Sequence, residues 1–340
     1  MSLFALSAEE LAARVVELGG RPFHARSARA HVLSRGVLDY AQMTDLPAPL
    51  RERLAAELPI LSAREVRRSQ APDGTQKLLL EFQGGAAVET VHIPSRRPGR
   101  GATLCVSSQA GCPVACPFCA SGARGLLRNL AAHEIVEQYL RGRALGPLSR
   151  SVVMGIGEPL LNAANVVAAL RLVNAELGLG ARRITVSTVG FPDRLRRLAA
   201  EHPPFELAIS LHSPDQEQRN RLVPAMAGVP IADVVAAGDH WFETTGREVT
   251  YEVALLGGEN DTPGHAERLG RLLVRRRATV NLIPYNPVAG MPFARPGPAA
   301  VERFRAALEA AGVVATVRWS RGLEADAACG QLRLADAPRA

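Results

Sequence analysis

The chain has 340 residues, 47% of them hydrophobic, enough to build a sizeable core, yet it holds no apolar run of eighteen residues, which excludes a disordered tail-like protein and a membrane-spanning one. Five cysteines form a low, odd count, which disfavours a disulfide-stapled secreted scaffold and points to a reducing compartment. The net charge of +7 suggests an anionic partner such as nucleic acid, although Lys77 is the only lysine and the Arg- and Ala-rich background equally reflects genome composition. The first residues, MSLFALSAEELAARVVEL, lack the pattern of a signal peptide, so a cytoplasmic location without membrane association is expected.

Residues 1–62 read as a helical accessory domain, with helix starts at Ser7 and Ser27, a face of Leu11, Val15 and Leu18, and a second unit over Ala28 to Leu38. Residues 63–100 carry two alternating runs, KLLLEF and AVETVHI, joined through Gly84 and Gly85 as a β-hairpin, then a Pro/Gly/Arg linker. From residue 101 to 335, strand-like runs at 103–108, 152–157, 184–188, 206–211, 249–256 and 280–284 alternate with helical segments at 131–143, 163–177, 192–201, 230–244, 263–276 and 299–311. Successive β-then-α units imply an α/β fold around a parallel sheet, either doubly wound or a full or partial barrel. Cys105, Glu158, Ser187, Ser210, His212 and Asn286 all fall at or just after strand C-termini, where barrels build their sites.

The most specific local pattern is Cys112-Pro-Val-Ala-Cys116-Pro-Phe-Cys119, a CxxxCxxC in a loop after the first of these strands. Three thiolates on one short loop can hold three irons of a [4Fe–4S] cluster, leaving the fourth open to chelate S-adenosylmethionine. A zinc site completed by His133, or coincidental thiols, remain the alternatives.

This loop resembles that of the radical-SAM superfamily, and its surroundings resemble the 23S rRNA adenosine methyltransferases of the RlmN/Cfr family. The matching text runs DGTQK (73–77), VETVHIP (88–94), TLCVSSQAGCPVACPFCASG (103–122), RNL (128–130), GIGEPLLN (155–162), ITVSTVG (184–190), LAISLHSP (207–214), RLVP (221–224), NLIPYNP (281–287) and DAACGQL (326–332). The resemblance implies a partial (β/α)6 radical-SAM barrel preceded by the helical domain and hairpin. It implies Cys112, Cys116 and Cys119 as cluster ligands, Phe118 as cluster cover, and Gly157, Glu158, Ser187, Ser210, Leu211, His212 and Asn286 as S-adenosylmethionine contacts. Cys329 is then the methyl carrier, Cys105 the resolving thiol and Glu89 the proton acceptor.

Such an arrangement makes chemical sense. Carbons 2 and 8 of adenine are electron-poor and cannot attack a methyl sulfonium. A thiolate can carry the methyl instead, a radical can activate it, and a second thiol can release the methylated base with formation of a disulfide. The expected activity is methylation of carbon 2 of an adenosine in 23S rRNA, with tRNA as a further substrate. The alternatives are carbon 8 of the same nucleotide or a non-catalytic zinc-stabilised RNA-binding module. A monomer served by a reductase or flavodoxin-type electron donor is expected. Arg124, Arg128 and Arg321 flank the two cysteine loops and are the candidate RNA contacts, whereas Arg194 to Arg197 and Arg275 to Arg277 read as solvated surface. Phe23-His24-Ala25-Arg26-Ser27, Gly101-Ala102 and Leu323-Glu324 depart from the family wording in segments that bear on RNA contacts.

Overall fold

The computed structural model describes residues 2–332, so residues 333–335 of the expected barrel domain lie outside the described residues. Helix α1 (Ala8–Glu17) starts as expected: Ser7 Oγ accepts from the Glu10 amide at 3.2 Å, and the Glu10 carboxylate accepts from the Ser7 amide at 2.8 Å. Helix α2 (Pro22–Leu33) begins earlier than the expected Ser27 start, because Pro22 carries a helical φ into the first position. Ser27 sits inside this helix and its hydroxyl donates to Asp45. Helix α3 (Ala48–Glu57) was not anticipated. Pro47 and Pro49 read as loop signals, but they occupy the cap and first turn, where a missing N–H costs nothing.

Strands β1 (Arg64–Gln70), β2 (Gln76–Glu81) and β3 (Ala87–Ile93) form an antiparallel meander. β1 escapes a hydrophobic pattern search because Arg-Glu-Val-Arg-Arg-Ser-Gln is an edge strand, charged and mostly exposed. Strand β4 (Ala102–Cys105) pairs antiparallel with β3 and parallel with the next sheet strand. A ribbon of β5 (Gln109–Gly111) and β6 (Leu126–Asn129) then closes the base of the CxxxCxxC loop. The remaining elements follow in β/α alternation: α4 (Ala132–Ala144), β7 (Leu148–Val153), α5 (Ala163–Glu176), β8 (Ile184–Thr188), α6 (Pro192–Ala200), β9 (Glu206–Ser210), α7 (Gln216–Leu222), α8 (Ile231–Thr245), β10 (Val249–Leu255), α9 (Pro263–Leu273), β11 (Ala278–Pro284), α10 (Pro298–Ala310) and β12 (Ala315–Val317).

The main sheet runs β1-β2-β3-β4-β7-β8-β9-β10-β11-β12, with β4 to β12 parallel. Its ends do not meet, so the six β/α units make a partial barrel, extended at one edge by the meander and at the other by the short β12. Register matters for the site. Val91 pairs with both Lys77 and Cys105, and Glu89 lies two positions before Val91 on β3, so Lys77, Glu89 and Cys105 share one face of the sheet. Thr90, on the opposite face, bonds Gln138 of α4, which leaves Glu89 and Cys105 turned towards the barrel interior.

The N-terminal helices are tied to the barrel by polar bonds as well as packing. The buried Glu137 carboxylate on α4 accepts from the Ser62 amide, the Ser62 hydroxyl and the Ala63 amide, each at 2.7 Å. Arg29 pairs with Glu176 at 2.8 Å, and Arg143 donates to the carbonyls of Leu33 and Ser34. Glu137→Ala strands these donors at a buried junction and is expected to cost roughly 2–4 kcal/mol, read as a lower midpoint in urea denaturation; an unchanged midpoint would show that the junction is held by packing alone.

Candidate active site

The CxxxCxxC loop hangs over the C-terminal ends of the parallel strands. Ala115 is left-handed (φ 56°), and Gly122 passes so close that a Cβ there would lie 2.8 Å from the Ala115 Cα. The result is a compact turn, in which the Cys119 amide donates to the Cys116 carbonyl at 3.1 Å. Cys112, Cys116 and Cys119 line one cleft with Phe118, Gly157, Glu158, Ser187, Ser210, His212 and Asn286. The cleft spans about 900 Å³, part of it open to solvent. Burial pushes the Cys112 thiol up to about 12 and raises Cys116 and Cys119 as well. His133 is not among the lining residues, and no three His, Cys, Asp or Glu side chains among the described residues converge on a single-ion site.

Arg219 on α7 is fully buried behind this loop. One nitrogen donates to the Val189 carbonyl at 2.7 Å, while Nε and Nη1 have no hydrogen-bond partner. The segment after α7 is fastened to the loop, the Ala225 amide donating to the Val114 carbonyl at 3.4 Å. Burial lowers the guanidinium to about 10, and the Cys116 sulfur opposes that shift. Three half-buried thiols opening into one cleft beside a buried cation suit an anionic thiolate-held group such as an iron–sulfur cluster.

Gly157 has φ 113°, and a Cβ there would lie 2.7 Å from the Gln109 amide, so the Gly-Glu-Pro turn needs glycine. Burial raises the Glu158 carboxyl, and its oxygens are already engaged by Leu160 N (2.9 Å), Thr188 Oγ1 (2.5 Å) and Val189 N (3.0 Å). Glu158 therefore pins the turn to β8, leaving little free acceptor capacity for a ligand ammonium. Ser187 donates to Glu252 at 2.7 Å and lies 3.2 Å from Ser210, so Glu252, which sequence reasoning missed because it sits mid-strand in β10, belongs to the same polar floor. His212 is left-handed (φ 62°). Its Nδ1 accepts from the Ala254 amide at 3.1 Å, which leaves Nε2 to carry the proton, and burial, assisted by Arg219, lowers it to about 3. Phe118 packs edge-on against this ring at 5.0 Å. The Leu211 side chain is fully buried and does not line the cleft; its amide donates to the Glu252 carbonyl and its carbonyl accepts from the Ser213 amide. A residue between two strand-end polar groups points the other way, into the core.

The Cys329 loop closes the cleft from above. Asn286 donates to the Cys329 carbonyl (2.9 Å), Ala120 to the Gly330 carbonyl (2.8 Å), Ser121 to the Leu332 carbonyl (2.7 Å) and Lys77 to the Asp326 carbonyl (2.9 Å). Lys77 is also paired with Glu89 at 2.8 Å, both side chains being under 5% exposed, so Glu89 is a buried, ion-paired carboxylate and not the solvated hairpin position its local pattern suggests. Beneath the loop a second cavity is lined by Cys105, Met154, Arg318, Trp319 and Cys329. Cys329 and Met154 line both cavities. Burial pushes Cys105 up to about 12, against the pull of Arg318; the Arg318 guanidinium is itself held up chiefly by the Cys329 sulfur, with Glu252 and Cys105 adding. Lys77 and Arg318 carried no motif of their own beyond standing in DGTQK and beside the Cys329 loop.

Of the candidate RNA contacts, Arg128 makes a bidentate pair with Glu134 at 2.7 Å while keeping a third of its side chain exposed, and Arg321 is clasped by Asp73 at 2.9 Å and by the Pro94 carbonyl.

Residues 106–269 match the Radical SAM superfamily model, and residues 1–60 match the model of the ribosomal RNA large subunit methyltransferase N-terminal domain. The first match takes in the three loop cysteines but neither Cys105 nor Cys329. A probable dual-specificity RNA methyltransferase RlmN from Rhodopirellula baltica is 45% identical over 96% of this chain and 89% of its own length. The corresponding protein of Gloeobacter violaceus is 45% identical over 97% and 94%. Among solved structures, a radical SAM methyltransferase from Sphaerobacter thermophilus superposes with a TM-score of 0.91 at 42% identity, covering 98% of this chain and 99% of that one.

The Asp73 clasp makes a pH prediction. Burial works to raise this carboxyl, but bonds from Thr75, Arg321 and Gly322 outweigh it and hold it at about 2, below its ordinary 3.8. A depressed acid stabilises the fold fully above about pH 4 and loses that contribution as the pH falls through about 2. Asp73→Asn should therefore speed amide hydrogen exchange in residues 318–332 at neutral pH while leaving β8 and β9 protected; equal exchange in both proteins would show that the clasp does not hold the loop.

Proposed function

The chain belongs to the RlmN family of radical-SAM RNA methyltransferases, and on that premise we propose that it methylates carbon 2 of an adenosine in 23S rRNA and in tRNA by way of a methylated Cys329. It is an S-adenosylmethionine-dependent radical enzyme of the [4Fe–4S] type acting on RNA. In this reading Cys112, Cys116 and Cys119 hold the cluster, and Gly157, Glu158, Ser187, Ser210, His212 and Asn286 surround S-adenosylmethionine; Leu211 contributes through its backbone. When bound, these groups supply the methyl, the electron and the radical.

The protein's own residues do the rest. Cys329 carries the methyl carbon across from one cavity to the other. The neutral His212 offers a donor without adding charge to the cleft. Glu89, held by Lys77 on the face that carries Cys105, accepts the ring proton. Once that proton has left, the Cys105 thiolate attacks the Cys329 sulfur, the sulfur–carbon bond breaks with its electron pair going to the product carbon, that carbon takes up a proton to become the methyl group, and a Cys105–Cys329 disulfide remains for external reduction. Arg318 lines the same cavity as both cysteines and pulls against the upward shift that burial gives Cys105. The observation that carries this reading is that Cys329 lines both cavities, the one with the three loop cysteines and the one with Cys105. We place the enzyme in the cytoplasm as a monomer, reduced by a flavodoxin-type or reductase donor.

The test is mass spectrometry of rRNA and tRNA nucleosides from a deletion strain and from strains carrying Cys329→Ala or Cys105→Ala. Loss of 2-methyladenosine is expected in all three, with a protein–RNA adduct trapped by Cys105→Ala. Loss of 8-methyladenosine instead would move the reaction to the other ring carbon, and no lost methyl-adenosine at all would overturn the assignment.

A further inference from the structure

Trp319 stands at the mouth of the cavity that contains Cys105 and Cys329, and it is 47% exposed. A half-exposed indole offers a large, stiff aromatic face with a polar N–H, the kind of side chain enriched where one side is apolar and the other wet. Its position is fixed from below and from the side. Arg318, its neighbour, is drawn towards the two thiols, with Nη1 3.2 Å from the Met154 sulfur. Arg321, two residues on, is clasped to Asp73 and Pro94. The Arg295 guanidinium lies over the indole, 5.8 Å from the ring centroid, and Arg295 is itself anchored to the Asn286 amide oxygen at 3.0 Å. The indole is thus a held plane with a cation set against it.

The surrounding charge fits one class of ligand. The Pro94 carbonyl that accepts from Arg321 opens the linker bearing Arg96, Arg97 and Arg100, all exposed, and Ile93 and Thr103 on either side of that linker line the same cavity. An aromatic plane flanked by cations at the lip of a cavity is the combination that receives unpaired nucleobases, the ring stacking on the base and the arginines facing the phosphates.

We propose that Trp319, backed by Arg295, is a stacking platform for an unpaired nucleobase of the RNA substrate, and that it presents the strand to the cavity holding Cys105 and Cys329. This rests on the reading of that cavity as the place of methyl transfer.

The protein carries its own probe. The second tryptophan, Trp241, is fully buried against Phe205. Titrating a 23S rRNA fragment into the full-length protein should therefore quench Trp319 emission, and Trp319→Leu should abolish the quenching and weaken binding roughly ten- to hundredfold. Trp319→Tyr, which keeps a stacking ring, should restore most of the affinity. Abasic substitution scanned along the RNA should identify a position at which wild type loses as much affinity as Trp319→Leu does, and at that position the variant should lose nothing further. Equal affinities of wild type and Trp319→Leu overturn the platform. So does failure of Trp319→Tyr to bind better than Trp319→Leu, which would mark a packing role. Both results are separable from failure of the functional assignment, because nucleoside analysis reports methylation whether or not Trp319 contributes.

Discussion

The hydrogen bonds that fasten the Cys329 loop over the strand ends are the constraint on which the rest of the site depends. That loop has almost no regular structure, so nothing intrinsic to it fixes the sulfur. Asn286 from the end of β11, Ala120 and Ser121 from the cysteine loop and Lys77 from the meander each hold one of its carbonyls. These donors come from otherwise separate parts of the chain, and they place Cys329 where two cavities meet. Chemistry that must hand one carbon between two reaction centres needs its carrier held to within a fraction of a bond length, and a loop tied at several carbonyls can supply that where a free tail cannot.

The meander extends this logic into electrostatics. A carboxylate buried as deeply as Glu89 needs a charged partner, which Lys77 supplies at 2.8 Å, and the same ammonium reaches the Asp326 carbonyl. One cation therefore couples a candidate base to the loop bearing the candidate methyl carrier. Arg318 is held up by the Cys329 sulfur first and by the charge of Glu252 less. Among the described residues two nitrogens of the Arg219 guanidinium are unmatched and the third bonds a neutral carbonyl, so the region behind Cys116 favours negative charge.

How much of this was legible in the sequence depended on whether a residue's role was local. The six β/α units were visible because each strand and helix advertises its own period, and observed bounds such as Ile184–Thr188 and Ala163–Glu176 follow the expected spans closely. The CxxxCxxC loop and the strand-end polar groups were visible because spacing alone brings them together. β1 and α3 were not, since one is a polar edge and the other begins with prolines, so neither carries an apolar period. The side chain of Leu211, carried in the same three-residue motif as Ser210 and His212, turns into the core because a strand end sends alternate side chains to opposite sides. Lys77, Glu252, Arg219 and Arg318 matter only through partners distant in sequence, such as Asp326 for Lys77, and no window on the chain could link them.

The basic charge can now be read by location. Arg29, Arg128, Arg143 and Arg321 are spent on ion pairs or carbonyls that hold the fold together, and Arg219 and Arg318 are turned towards the thiols. Arg196 and Arg197 on α6 and Arg275 to Arg277 after α9 are exposed on helices or their ends, and Arg194, in the first turn of α6, donates to the Leu160 carbonyl. The net excess of +7 is therefore a poor guide to RNA contact as a sum. A substrate drawn by long-range attraction could meet the barrel anywhere; it reacts only at one opening, and there the exposed cations lie in the 95–101 linker beside an aromatic plane. Attraction by charge and selection by stacking are separate physical tasks, and this chain assigns them to neighbouring segments at the rim of one cavity.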